Sequence, residues 1–244
     1  YGFITTPGVL SQRRIERGRL LLPYPHFTAL AALDQPGATS NYHSLTVSFV
    51  RRFRQGLMIE SEYIFSKSID NASANVSWFN NDTGARDWYD MAADRSVSSF
   101  DVPHAASVTF LFNLPVGKGR RLGGGMNGIL DAVLGGWSVS GTQKFQSGQP
   151  ARFTAPNNAY CYGCTQYPNV SDRALLKLAQ RDRDHWFNTT VFSMPADYTI
   201  GNTPRYVAEV RNHHMNNLNL ALSKAYRVRE KVRVQFRAEG LNAF

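Results

Sequence analysis

Two runs of alternating apolar and polar residues, between positions 215 and 244, constrain the fold of this chain most strongly. In an extended strand neighbouring side chains point to opposite faces, so each run has one apolar and one polar face. The apolar faces carry Leu218, Leu220, Leu222, Val232, Val234 and Phe236. The polar face of the second run carries Arg233, Arg237 and Glu239. Residues 227–230 separate the two runs, and this arrangement predicts a β-hairpin.

Four earlier segments alternate in the same way, so the chain is predicted to be all-β. The predicted strands are 42–52, 57–69, 104–114 and 137–147. The strand at 57–69 carries Glu60 and Glu62 on its polar face. A short additional strand is predicted at 27–33, within an N-terminal segment, 1–41, that is otherwise expected to be loop because it is rich in proline and glycine.

The connections between the predicted strands alternate between short and long. Residues 53–56 and 227–230 are short turns, 115–136 is of moderate length, and 70–103 and 148–214 are long. Within the last of these, Asp172 as a cap and leucines at helical spacing predict a helix over 173–183. Strands of about ten residues with short turns at one end and long loops at the other are typical of a transmembrane β-barrel. Two such long loops among six strands would be uncommon in a soluble sandwich. The pattern therefore favours a barrel whose long loops face outward.

Composition excludes several other classes. Charged residues make up 18% of the chain, below the roughly 25% of soluble domains, and no apolar run is long enough for a membrane-spanning helix. The net charge of +9 would by itself suggest a protein that binds nucleic acid. The basic residues are scattered over strands and turns without a recognition motif, so no nucleic-acid partner is expected.

The chain begins without methionine or a signal sequence, which predicts a fragment.

Several short motifs resemble the carboxy-terminal barrel of TonB-dependent outer-membrane receptors, in particular the Oar-like group of soil bacteria. They are NYHSL at 41–45, FSKSID at 65–70, FDVPH at 100–104, LPVGKGR at 114–120, GGWSVSG at 135–141, QSGQP at 146–150 and QFRAE at 235–239. In order and spacing these motifs extend the resemblance over residues 42–244. The resemblance implies a barrel of about twenty-two antiparallel strands with a plug domain in its lumen. The resemblance also implies that transport is driven by energy delivered from the inner membrane through the TonB system.

This chain departs from the family pattern because it has only six or seven predicted strands and no plug or TonB-contacting segment. It is therefore expected to be a partial barrel at 42–244. Its polar faces would point to the lumen and its apolar faces to lipid, in the bacterial outer membrane. The expected function is energised uptake of a large or scarce solute. A soluble or surface-attached β-rich binding or adhesion module, without transport activity, is the alternative.

Candidate site residues are few. In the first long loop Trp78, Asp82, Asp87, Trp88 and Tyr89 could contact a polar ligand, although a solvated loop whose carboxylates are hydrogen-bonded explains them as well. The same solvated loop is expected to include Asp90, Asp94 and Asp101. Cys161 and Cys164 could form a local disulfide, remain free thiols or bind a metal, but a zinc site would need two further ligands. Adjacent histidines, such as those at 213 and 214, point to opposite faces of a strand. No metal, cofactor or enzymatic activity is expected.

Overall fold

A computed structural model describes residues 8–28, 30, 36–52, 56–73, 85–161, 164–229 and 232–243. The strands are β1 Ser40–Arg52, β2 Leu57–Asp70, β3 Ser96–Val97, β4 His104–Asn113, β5 Trp137–Gln146, β6 Pro150–Ala151, β7 Asn169–Val170, β8 Phe192–Ser193, β9 Val207–Arg211, β10 Met215–Arg229 and β11 Val232–Gly240. The helices are α1 Arg17–Leu20 and α2 Gly128–Leu134, and single 3-10 turns are formed by Val9–Ser11, Met91–Asp94 and Arg173–Leu176.

The six long strands form one sheet in the order β1-β2-β4-β5-β10-β11, with the short β3 paired to the end of β2. The pairings of β2 with β4, β4 with β5, β5 with β10 and β10 with β11 are all antiparallel. The six long predicted strands are therefore confirmed, and outside the closing hairpin their bounds differ by one or two residues. The closing hairpin differs most, because β10 continues to Arg229, into the segment that was predicted to be its turn.

The register of the sheet aligns the alternating side chains into two continuous faces, because cross-strand partners point the same way. One row runs from Leu222 through Val139 and Phe112 to Leu57. We call this side the apolar face. It carries Leu57, Ile59, Phe110, Phe112, Trp137, Val139, Leu218, Leu220, Leu222, Lys224, Val232, Val234 and Phe236.

The opposite side of the sheet, the polar face, carries the predicted charged residues. Glu60 pairs with Thr109, which in turn pairs with Thr142. Glu62 lies in a row with Ser107 and Lys144. In the closing hairpin the polar face carries Arg233, Arg237 and Glu239, which pair with Arg227, Ser223 and Ala221.

The chain divides into two compact units. The sheet unit comprises His43–Ser66, Val102–Gly148 and His213–Phe244, and the loop unit comprises Tyr1–Tyr42, Lys67–Asp101 and Gln149–Asn212. The sheet unit leaves its apolar face open: Phe236 and Val234 are each 56% exposed, and Leu222 is 39% exposed. Among the described residues no second sheet covers this face, as a soluble sandwich would require.

The buried hydrophobic cluster lies within the loop unit. Val170, Leu176, Val191, Val207 and Val210 form a buried cluster, and Leu176 and Val207 are fully buried. The rings of Phe153, Phe187 and Phe192 pack against this cluster. All of these residues come from the second long connection, 148–214, which the sequence predicts to be a loop.

One predicted helix is wrong. Helical spacing of leucines suggested a helix over 173–183 with Asp172 as its cap, but only the single turn Arg173–Leu176 forms. Asp172 does cap this turn, because its carboxylate accepts the backbone N–H of Ala174 at 2.8 Å. The carbonyl of Leu176 instead accepts the N–H of Asn188 at 3.1 Å. This bond to the adjacent segment replaces the next helical hydrogen bond.

The short strand predicted at 27–33 is also wrong where the structure describes it. Phe27, Thr28 and Leu30 lie outside any strand, and the backbone N–H of Phe27 closes a turn on the carbonyl of Tyr24. Residues 29 and 31–33 lie outside the described part of the chain. In the part that is described, no helix is long and apolar enough to cross a membrane.

We predict that Leu176→Ala destabilises the loop unit by about 2 to 5 kcal/mol, because it leaves a cavity in a fully buried cluster. The measurement is hydrogen–deuterium exchange of the β9 amides. Leu175→Ala is the matched control, since Leu175 is 55% exposed and its truncation should leave the exchange rates nearly unchanged. Equal effects of the two substitutions would show that this core is not cooperative.

Candidate functional site

The predicted ligand-contact residues that the structure describes lie together in one exposed turn. The backbone N–H of Asp90 bonds the carbonyl of Asp87 at 3.3 Å, and the N–H of Tyr89 bonds the Asp87 carboxylate at 2.9 Å. Tyr89 is 96% exposed and Trp88 is 36% exposed. Trp78 and Asp82, the other two candidates, lie outside the described residues. We call residues 87–90 the exposed turn.

A buried ion pair closes the segment that carries the exposed turn. The Nε of Arg86 lies 3.0 Å from the Oδ1 of Asp94, and the backbone N–H of Arg86 bonds the Oδ2 of Asp94 at 2.8 Å. Both side chains are over nine-tenths buried. The segment is tightened further by Asp90, whose carboxylate accepts the N–H groups of Ala92 and Ala93. The exposed turn is therefore held at both of its ends.

Arg86 also ties this segment to the second long connection. Its two terminal nitrogens donate to the carbonyls of Gly201, at 3.2 Å, and Thr203, at 2.9 Å. The position of Gly201 requires glycine, because a Cβ there would lie 1.9 Å from the carbonyl oxygen of Tyr167. One arginine thus joins two connections that are more than a hundred residues apart in sequence.

Arginine and tyrosine side chains alternate beside this ion pair. The ring of Tyr167 lies 4.7 Å from the guanidinium carbon of Arg86 and 5.9 Å from that of Arg152. The ring of Tyr206 lies 5.8 Å from Arg152 and 5.5 Å from Arg205. These distances are within the range of cation–π attraction, which strengthens where water is excluded. We call these five side chains the arginine–tyrosine stack.

Two further arginine–aspartate pairs anchor the loop unit. Arg205 pairs with Asp70, and both side chains are only 2% exposed. Arg211 pairs with Asp101 at 2.6 Å and also donates to the Asp101 carbonyl at 2.9 Å. The other carboxylate oxygen of Asp101 accepts the N–H of Ser68 at 2.7 Å. The expectation of a solvated loop is therefore wrong for Asp94 and Asp101, which are buried and paired.

The predicted cysteine and histidine candidates do not form a metal site among the residues described. Cys161 and Cys164 form a disulfide, with their Cα atoms 5.6 Å apart. His185 bonds Asp182 within its own turn, where the backbone N–H of His185 lowers the pKa of the Asp182 carboxyl. His214 packs on the ring of Phe145, with centroids 5.6 Å apart. In the described ranges no three potential ligands cluster.

The charged residues of the polar face lie on the sheet unit. Arg237 and Glu239 form an ion pair along β11, and both remain exposed. Surface pairs of this kind contribute little stability. The polar face therefore offers charged groups to solvent or to another surface.

In the loop unit the buried arginines and the exposed turn differ in what they leave accessible. The arginines are engaged in structural contacts, whereas the exposed turn presents a carboxylate and two aromatic rings on a fixed frame. A carboxylate accepts hydrogen bonds from a polar ligand, and aromatic rings stack on flat surfaces of such a ligand. The sequence offered no signal for the bonds of Arg86 to Gly201 and Thr203 or for the pair of Arg205 with Asp70, because these partners are more than a hundred residues apart.

We predict that Arg86→Ala destabilises the loop unit by about 3 to 5 kcal/mol, because it leaves the Asp94 carboxylate buried without its cation. The matched control is Arg173→Ala, which breaks the exposed pair with Glu209 and should cost less than about 1 kcal/mol. Protease resistance of the loop unit measures both effects. Similar losses in the two variants would contradict a structural role for the buried pair.

Comparison with known protein families gives a match over almost the whole chain. A family model described as the outer membrane beta barrel domain matches residues 4–244, which includes the N-terminal segment that the sequence motifs did not cover. No curated protein and no solved structure matches the chain. The family places the chain in the membrane and argues against the soluble alternative. The chain belongs to the outer membrane beta barrel domain family, and its location is the bacterial outer membrane.

Proposed function

We propose that this chain is part of the barrel and outer loops of a TonB-dependent receptor that takes up a large or scarce solute. The observation that carries the proposal is that the two long connections fold into one unit, in which the second connection has a hydrophobic core and Arg86 joins the first connection to the second. Both connections join strands at the same end of the antiparallel sheet. An ordered structure in these loops supports recognition of a solute, which a barrel built only for passive diffusion would not need. The motifs shared with Oar-like receptors support the same assignment.

In this proposal the two faces of the sheet have different surroundings. The apolar face contacts lipid, and the polar face lines the lumen. Glu60, Glu62, Arg233, Arg237 and Glu239 then contact lumenal water or a plug domain supplied by the full-length protein. The exposed pair formed by Arg237 and Glu239 is available for such contacts without loss of a buried interaction.

The exposed turn is the proposed solute contact. Asp87, Trp88 and Tyr89 project from a segment whose ends are fixed by the buried pair of Arg86 with Asp94. Because the turn is already ordered, little conformational entropy is lost when a ligand binds. Trp78 and Asp82 belong to the same connection and are proposed to contribute to the same contact.

The proposed class can be tested by binding of the purified full-length protein to the periplasmic domain of TonB. Saturable binding in detergent, measured by surface plasmon resonance, is the expected result. A general porin in the same detergent is the control, since diffusion channels do not require energy from TonB. Absence of binding, with the receptor folded, would overturn the assignment to TonB-dependent receptors.

Once a solute is identified by uptake assays, Tyr89→Ala should weaken its binding about tenfold, as expected for an exposed aromatic anchor. Leu175→Ala is the control because it also truncates an exposed side chain of the loop unit, away from the exposed turn. Isothermal titration calorimetry measures the affinity. Unchanged affinity for Tyr89→Ala would remove the exposed turn from the binding site.

A further inference from the structure

We propose that α2 is an interfacial anchor that lies in the phospholipid leaflet on the side of the short connections. The helix belongs to the connection between β4 and β5. The helix binds an anionic phospholipid surface. The acyl chains contact the apolar side chains of the helix, and the headgroups contact nearby basic residues. The proposal is independent of which solute the barrel transports.

The first observation is an apolar stripe that the protein leaves open. Ile129, Leu130, Val133 and Leu134 are 79%, 47%, 60% and 46% exposed. These positions follow helical spacing and therefore share one side of α2. Asp131, the single acidic residue of the helix, points elsewhere, because its carboxylate accepts the backbone N–H of Lys118 at 2.5 Å. The helix is amphipathic, with its polar side turned to its own connection.

The second observation is that residues of the apolar face hold the helix. Lys224 donates from its Nζ to the carbonyls of Val133 and Gly135, each at 2.8 Å. Trp137 donates from its Nε1 to the same Val133 carbonyl at 3.0 Å. Lys224 and Trp137 are cross-strand partners on the apolar face. The C-terminal end of α2 is therefore held by residues of the apolar face.

These contacts also explain why a lysine interrupts an apolar row. Its ammonium group satisfies carbonyls at the C-terminal end of α2, where a cation is favoured, and lies 5.1 Å from the Trp137 ring. The rings of Trp137 and Phe236 meet edge to face at 6.1 Å. Tryptophan and lysine side chains are enriched where acyl chains meet headgroups. The cluster therefore indicates the depth at which the helix lies.

Charge identifies the kind of headgroup. Lys118, Arg120 and Arg121 are exposed in the same connection. The only acidic residue between positions 114 and 136 is Asp131, which already accepts a backbone hydrogen bond. The connection thus combines an apolar stripe with excess positive charge, the pattern of helices that bind anionic membrane surfaces.

The test places a fluorophore on the helix of the full-length protein in vesicles of phosphatidylethanolamine and phosphatidylglycerol. Both cysteines of these 244 residues form the disulfide, so the variant Ile129→Cys adds a reactive thiol on the helix, and any cysteine elsewhere in the full-length protein is replaced by serine first. Lipids brominated on their acyl chains should quench the label at 129 several-fold more than a label at Gly125→Cys. Gly125 is the matched control, because a side chain there meets no atom within 4 Å. Equal, weak quenching at both positions would overturn the proposal, whether water or a protein covers the helix.

A second arm tests the headgroup. In mixed vesicles, brominated phosphatidylglycerol should quench the label at 129 more strongly than brominated phosphatidylcholine. The double substitution Arg120→Glu with Arg121→Glu should bring the two values close together, with folding verified by heat-modifiable migration in gels. Equal quenching by the two lipids in the parent protein would overturn the role of the basic residues. Unchanged lipid preference in the double variant would do the same.

Discussion

The loop unit depends on carboxylates that are removed from water and paired with arginine. Asp70, Asp94 and Asp101 are each almost fully buried, and each pairs with an arginine. A buried carboxylate without a partner is strongly unfavourable, so each pair tightly restricts the segments that supply it. Such pairs do not add much net stability compared with apolar packing, but they strongly disfavour other arrangements. The same contacts that order the connections therefore also select their conformation.

The sheet unit follows a different physical rule. Its strands pair along their whole length and keep one face apolar, so its stability in the membrane comes from satisfied backbone hydrogen bonds and lipid contact rather than from a core. This division explains why the largest apolar side chains of the strands are exposed while valine and leucine side chains of the connections are buried. A family defined by an outer-membrane barrel is consistent with both parts.

The strands could be predicted from sequence because alternation is a local signal that appears in every run. Residues such as Leu222 and Phe236 reveal their face through their immediate neighbours. The loop unit could not be predicted in this way, because Asp70 and Arg205 are 135 positions apart and no local pattern links them. The helix predicted at 173–183 failed for the same reason: a hydrogen bond from Asn188, on another segment, competes with helix formation. Part of the candidate site could also be predicted from the sequence, since the exposed turn contains aromatic and acidic residues close together. The arginine–tyrosine stack that supports this turn could not be predicted.

The pairing of Asp70 with Arg205 has a consequence for the order of folding. Closing a contact across so many residues costs considerable chain entropy, and the cost falls once β2, β4, β5 and β10 are already hydrogen-bonded to one another. We therefore expect the hairpins to form early and the connections to consolidate late. Until then the arginines and aspartates of the connections stay hydrated, and they form their pairs only after the strands that carry the connections are aligned.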